Sequence, residues 1–358
     1  MEQLSQRERD VLQSLIQIHI ATAAPVSSRA ICKKYLSELS PATVRNTMMD
    51  LEERGFLDQP HTSAGREPTD KGYRYYVDSL MKKEALSSEE KRLLRRRFRS
   101  YFKDRDAEYA FNEISRTIAQ LSHQLGVVLS PRFEEGILQK LELIPLNRSR
   151  VLVIITVTSG LVKTITVEID RPSRSSTGRR KVLISRKKLR EACQLFNERL
   201  AGLSIKEIRR SIQQRLRYST QTTPELFSFF IKQANSIFRF DSPRDLFVEG
   251  RTNIMLQPEF RDRQRLAELM EFLDEQDRVI SLLNQQAGKQ GVVVTIGSEN
   301  AFSQMQVCSL VTSSYNIGDL SGTVGMIGPT RMRYSKYVSL LEYTAKLMSE
   351  LLSETPLT

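Results

Sequence analysis

The amino-acid sequence predicts an α+β, multidomain protein that opens with a winged helix-turn-helix. Three observations carry that expectation. Within the first 80 residues, three short capped helical stretches precede a turn-rich hairpin. Further on, strand-like runs occur before and after a long helical stretch, the pattern of a mixed domain with an insertion. The chain of 358 residues is long enough for two or three domains, each with a core of its own.

Ser5-Gln6-Arg7-Glu8 has the capping-box pattern, and Leu12, Leu15, Ile16 and His19 or Ile20 continue it as a helical stripe. Ser27 caps a second helix that turns Ala30, Ile31 and Tyr35 inward. Ser40 caps a third, with Pro41 at the first helical position, where its missing N–H costs nothing, and Gly55 just past the end. In this third helix, "SPATVRNTMMDLEERG", Val44, Met48 and Leu51 fall at i, i+4 and i+7 and form a buried stripe. Ala42, Arg45, Asn46 and Met49 therefore point away from it. "GFLDQPHTSAGREPT" reads as a short strand, a turn-rich tip and a return, which makes a wing beside the helix-turn-helix. Residues 73–80, "YRYYVDSL", lead out as a helix.

Residues 81–105 are charged throughout and read as a solvated helical linker. Phe111, Ile114, Ile118, Leu121 and Leu125 mark the next helix, and three strands are expected at 136–146, 150–157 and 161–169. After the basic loop "RPSRSSTGRRK" the pattern is helical from 185 to 240, broken near Gly202 and Pro224. A strand-like "DLFVEGRTNIML", a helix from 258 to about 275, strands at 291–297, 305–315 and 320–327, and a final apolar-faced helix complete the chain. The expected organisation is a winged domain at 1–80, a linker at 81–105, and an α+β domain in two parts, 106–170 and 277–358. A mostly helical insertion at 171–276 separates the two parts. Leu226, Phe229, Phe230, Ile237 and Phe240 form an aromatic-rich stripe in that insertion, serving either its own core or a contact with a second copy.

Composition narrows the function. No apolar run approaches the roughly 20 residues of a membrane span. The opening "MEQLSQRERD" lacks a signal-peptide core, which predicts a cytoplasmic protein. Cys32, Cys193 and Cys308 are scattered, as are His19, His61 and His123, so neither a disulfide framework nor a metal site is expected. The net charge of +12 permits a polyanionic partner, yet residues 1–80 hold slightly more acids than bases. Residues 171–190, by contrast, hold nine Lys and Arg and no acid. "SRKK" at Ser185 is a loose Ser-x-x-Lys pattern, and the glycines at 318, 322, 325 and 328 are followed by no Gly-Lys-Ser/Thr. No catalytic, cofactor or metal residue is predicted.

The stretches "LSPATVRNTMMDLEERGFL", "QPHTSAGREPTDKGYRYYVD" and "IGSENAFSQMQVCSLVTSSYNIGDLSGTVGMIGPTRMRYSKYVSLLEY" resemble the heat-inducible transcription repressor family HrcA, over nearly the whole chain. The resemblance implies a dimeric repressor on an inverted-repeat operator upstream of chaperone genes. It also implies a winged-helix domain, a GAF-like domain with a dimerising insertion, and a GroE-type chaperonin as partner. Two positions depart from the family's pattern: Glu67, where an apolar residue is usual, and Arg333, where an acid is usual.

A recognition helix enters the major groove by its first turns, where Thr43, Arg45 and Asn46 lie. Arg pairs with guanine, Asn with adenine, and Ala42 and Met49 suit thymine methyl groups. At the wing, Thr62, Ser63 and the backbone at Gly65 are expected on phosphate and Arg66 on phosphate or in the minor groove. Lys33, Lys34, Lys71 and Arg74 would add sequence-blind attraction. Two rival readings are a winged-helix regulator that answers to a metabolite, and an enzyme with an appended DNA-binding module.

Overall fold

The structure is a computed structural model, and it describes residues 3–61, 64–103, 106–147, 150–168, 186–216, 233, 237–238, 245–286, 289, 291–318 and 320–354. Ser5, Ser27 and Ser40 each accept a hydrogen bond from the backbone N–H three residues on, starting helices α1 (Gln6–Thr22), α2 (Ser28–Lys34) and α3 (Pro41–Glu53). Gly55 follows α3 at φ +74°, a conformation that other residues adopt at a cost. Strands β1 (Leu57–Asp58) and β2 (Glu67–Pro68) pair antiparallel as the wing. Leu12, Leu15, Ile16, Ile31, Val44, Met48 and Leu51 are buried as the apolar spacing requires. Tyr35, expected inward, is 41% exposed, because α2 ends at Lys34 and the chain has left the helical period by then.

The exit helix α4 (Asp70–Tyr75) continues into one π-helical turn. Helix α5 (Ser88–Tyr101) then corrects the expectation of a solvated linker. Leu94, Phe98 and Phe102, at i, i+4 and i+8, are buried in the same core as α1 and as the last helix, α12 (Tyr334–Glu354). One stripe of three apolar residues among arginines is enough to dock a helix. The winged unit and the following domain thus share a continuous core, with the Tyr73 ring 6.0 Å from that of Tyr334.

The second domain is built on a five-stranded antiparallel sheet. Its strands are β3 (Leu125–Leu129), β7 (Leu246–Glu249), β8 (Val292–Ile296), β9 (Cys308–Ile317) and β10 (Leu320–Pro329), in the order β7-β3-β10-β9-β8. Successive residues of β3 face opposite sides. Val128 meets the core lined by α6 (Ala107–Ser122) and α12, while Val127 and Leu129 meet the core lined by helices α10 (Arg263–Asp274) and α11 (Gln276–Asn284); α9 (Arg251–Met255) follows β7.

Strands β4 (Leu138–Pro145), β5 (Arg150–Val157) and β6 (Val162–Glu168) form a separate three-stranded sheet. Helices α7 (Arg186–Leu200) and α8 (Ile205–Leu216) cover it, and the group has its own core. This moves the expected boundaries. β4 to β6, assigned to 106–170 of the main domain, belong with the insertion, and β7, placed inside 171–276, belongs to the main sheet. The insertion enters and leaves at one point, where the Ser130 N–H donates to the Asp245 carbonyl at 2.8 Å and Leu129 pairs with Leu246. Of the proposed contact stripe, Leu226, Phe229, Phe230 and Phe240 lie outside the described residues. Ile237 is 1% exposed within the insertion's own core, which favours the core reading for that residue. Among the described residues no helix is long and apolar enough to cross a membrane.

Candidate nucleic-acid interface

A groove of about 870 Å³ runs between α2, the front of α3 and the wing, with Arg29, Ala42, Arg45, Asn46, Met49, Gly65 and Arg66 on its walls. The capping of α3 by Ser40 fixes which side chains reach it. Val44, Met48 and Leu51 anchor one side, leaving Ala42, Arg45, Asn46 and Met49 exposed on the other. No described carboxylate pairs with Arg45; Glu52 and Glu53 lie about two turns further along. Thr43 is half-buried and its hydroxyl lies 2.9 Å from that of Ser40, so it supports the cap; it does not line the groove.

The wing is seated by a close backbone approach. Val26 and Arg66 exchange N–H···O bonds of 2.9 Å each, and a Cβ on Gly65 would stand 2.3 Å from the Val26 carbonyl oxygen. Glycine is required there for contact with the loop before α2, in addition to any approach of phosphate. Thr62 and Ser63 lie outside the described residues. Arg66 departs from expectation. Its Nε donates to Glu52 at 2.7 Å and its side chain is 15% exposed, so it ties the wing to α3. Behind it, Asp58 stands directly across the wing from Glu67, and burial together with the Asp58 charge raises the Glu67 carboxyl above its ordinary range.

Lys33 and Lys34 are exposed at the end of α2, the latter 5.4 Å from the Tyr35 ring centre. Lys71 is exposed and also engaged, donating to the Arg54 carbonyl at 2.8 Å with its ammonium 4.4 Å from the Phe56 ring centre. Arg74 is not at the groove at all. Its guanidinium pairs with Glu299 (2.7 Å) and Asp78 (3.1 Å) and donates to the Val294 carbonyl (2.6 Å), so its cationic head holds the winged domain to β8. The carboxylate partners and the carbonyl account for a position that the sequence offers only as one more base.

Two further contacts complete that junction. Asp70 accepts from the Ser298 N–H at 2.8 Å, and Arg331 reaches from beyond β10 to the Ile20 carbonyl (2.8 Å) and Glu259 (2.7 Å). His19 Nδ1 lies 2.7 Å from the Tyr73 hydroxyl, and burial, reinforced by the Arg331 charge, lowers its pKa to about 4. Sequence reasoning missed this junction, and it also passed over Arg29. The signal for Arg29 was present: Ser27 caps α2, which puts Arg29 in the first turn, beside the start of α3.

No group of three or more His, Cys, Asp or Glu among the described residues is placed to hold a metal ion. The three cysteines are free and mutually remote in sequence, and burial pushes the Cys308 thiol up to about 12, which suits an inert core position.

Residues 3–80 match the family described as "Winged helix-turn-helix transcription repressor, HrcA DNA-binding" and residues 108–338 that described as "HrcA protein C terminal domain". A heat-inducible transcription repressor HrcA of Geobacter sulfurreducens is 38% identical over 353 residues, covering 98% of this chain and 99% of that one. The protein of the same name from Chlorobium luteolum is 38% identical over 364 residues, covering 98% of each. A solved structure titled "Crystal structure of a hypothetical protein at 2.2 A resolution" shares the fold, with a TM-score of 0.59 at 22% identity over 99% of this chain and all of the other.

Proposed function

The chain belongs to the HrcA family of heat-inducible transcription repressors, and on that premise we propose that it reads an inverted-repeat operator as a dimer, with the front of α3 in the major groove of each half-site. It is a DNA-binding regulator of transcription and not an enzyme, and the reading as a metabolite-responsive regulator is not favoured. The observation that carries the proposal is the outward face of α3: Arg45 unpaired and Asn46 exposed, both on the wall of the groove beside the wing. In this reading Arg45 pairs with a guanine, Asn46 with an adenine, and Ala42 and Met49 touch thymine methyl groups. Gly65 brings the wing backbone to phosphate, and Lys33, Lys34 and Lys71 add phosphate contacts; Arg66 holds the wing to α3, and Arg74 holds the winged domain to β8. A GroE-type chaperonin, implied by the family resemblance, would couple repression to heat.

The test is Arg45→Ala on operator and random duplexes. Operator affinity is expected to fall by about 1–3 kcal/mol with relaxed preference at one base pair per half-site. An equal loss on both duplexes would show that Arg45 meets phosphate only.

A further inference from the structure

The winged domain is poorly charged for the work its fold implies. Residues 1–80 carry ten Lys and Arg against eleven Asp and Glu. Among the described residues at least three of these bases are already paired with carboxylates: Arg54 with Glu8, Arg66 with Glu52, and Arg74 with Glu299. Neutralisation of phosphates by Lys and Arg, with release of their counterions, supplies most sequence-blind affinity for duplex DNA. Cations outside this domain would add to the few it presents, among them Arg29, Lys33, Lys34 and Arg45.

They are present in the next element. Residues 82–103 carry nine Lys and Arg against three Asp and Glu. On α5 and the turn after it, Arg92, Arg96, Arg99 and Lys103 fall at i, i+4, i+7 and i+11, one face of the helix. That face lies opposite the buried stripe of Leu94, Phe98 and Phe102. All four cations are exposed, and none has an ion pair or a side-chain hydrogen bond among the described residues. Their neighbours differ: Arg95 meets Glu350, Arg97 donates to Gln120, and Lys336 pairs with Glu90. The stripe is held in place. Leu86 is buried, Lys83 pairs with Glu342 at 2.9 Å, and the Glu84 N–H donates to the Ser335 carbonyl at 3.1 Å, so α5 starts from a pinned segment. Seven residues separate the end of the winged unit from α5, a span of at most about 25 Å. The stripe itself runs for about 16 Å, roughly five base pairs of one strand.

We propose that the Arg92, Arg96, Arg99 and Lys103 face of α5 is a second DNA-contacting surface, gripping the phosphates of the duplex that flanks the half-site. It rests on the reading of the chain as a DNA-binding repressor and extends it beyond the winged domain. Three of the four residues are arginine, whose weakly hydrated planar fork suits phosphate. The contact carries no base information.

The experiment compares the full chain with R92Q/R96Q/R99Q and with R92K/R96K/R99K. Fluorescence anisotropy is read at several salt concentrations on three duplexes: a short operator trimmed to the repeat, the same operator with about ten extra base pairs on each side, and a random duplex of the longer length. For the Gln variant the logarithmic salt slope on both long duplexes is expected to fall by about two to three units per protomer engaged, and so by about five for a bound dimer, at about 0.9 for each phosphate no longer neutralised. The gain in affinity from added flanks should vanish, the short operator should be bound as before, and the Lys variant should restore most of the slope. An unchanged slope and an unchanged flank effect would overturn the proposal and leave the face to solvent or to an acidic protein. Loss of binding on every duplex by the Gln and Lys variants alike would also overturn it, since charge would then not be the cause. The random duplex separates the two readings: failure to prefer operator over random DNA counts against the half-site reading, whereas the slope change reports on α5 in either case.

Discussion

Arg331→Ala tests whether the winged domain is held rigidly to the sheet. The Arg331 side chain is 14% exposed and donates to Glu259 at 2.7 and 3.4 Å, to Gln257 at 3.3 Å and to the Ile20 carbonyl at 2.8 Å. Truncation leaves the Glu259 carboxylate, 27% exposed, without its cation and a helical carbonyl without a donor. Breaking a fully buried pair costs about 3–5 kcal/mol, and the access of water here places this one lower, at about 2–3 kcal/mol. Urea unfolding followed by circular dichroism reads that loss. A second readout is local. The Arg331 charge is one cause, after burial, of the lowered His19 pKa, so its removal should let His19 titrate above about 4, as followed by NMR. The unfolded chain takes up a proton near pH 6.5 while the folded chain resists to about 4, so the native state loses stability as pH falls through that window. In Arg331→Ala the window narrows. A loss below about 0.5 kcal/mol with His19 unmoved would refute the clamp, because a pair so placed cannot be removed silently.

The remaining predictions concern the insertion and the wing. Replacing residues 131–244 by a short Gly-rich turn should leave the winged unit and five-stranded sheet folded, because Ser130 and Asp245 already touch. The product should sediment as a monomer at micromolar concentration; a persistent dimer would place the interface outside the insertion. Arg66→Ala should leave the logarithmic salt slope of DNA binding within about 0.3 of the parent while costing roughly 1 kcal/mol of stability, since Glu52 and not phosphate holds that guanidinium. A slope shallower by a full unit would restore Arg66 to the DNA.

The winged unit was legible because its signals are local. Ser5, Ser27 and Ser40 each cap the helix that begins one residue later, and the Val44, Met48, Leu51 spacing orients α3 without help from the rest of the chain. The main sheet was less so. In "LGVVL" the five residues of β3 are all buried and so do not alternate, and Leu125 stands four residues after Leu121, which mimics one more helical turn. Without β3 as a strand, β7 has no partner to pair with, and the expected insertion lies too late at both ends. Helix α5 hid three buried residues among its arginines, and the roles of Arg66 and Arg74 depend on Glu52, Glu299 and Val294, partners brought close only by the fold. Charge composition marks which residues are cations; tertiary contact decides which of them are still available to DNA.

The most direct test of the repressor reading is a footprint of the full chain on its own genomic DNA inside cells, where the chaperonin is present, at growth temperature and after warming. Two protected half-sites in inverted repeat, centred one or more helical turns apart and upstream of chaperone genes, with protection lost on warming, are the predicted result. Protection without symmetry or sequence preference, or protection of a symmetric site that warming leaves untouched, would contradict it.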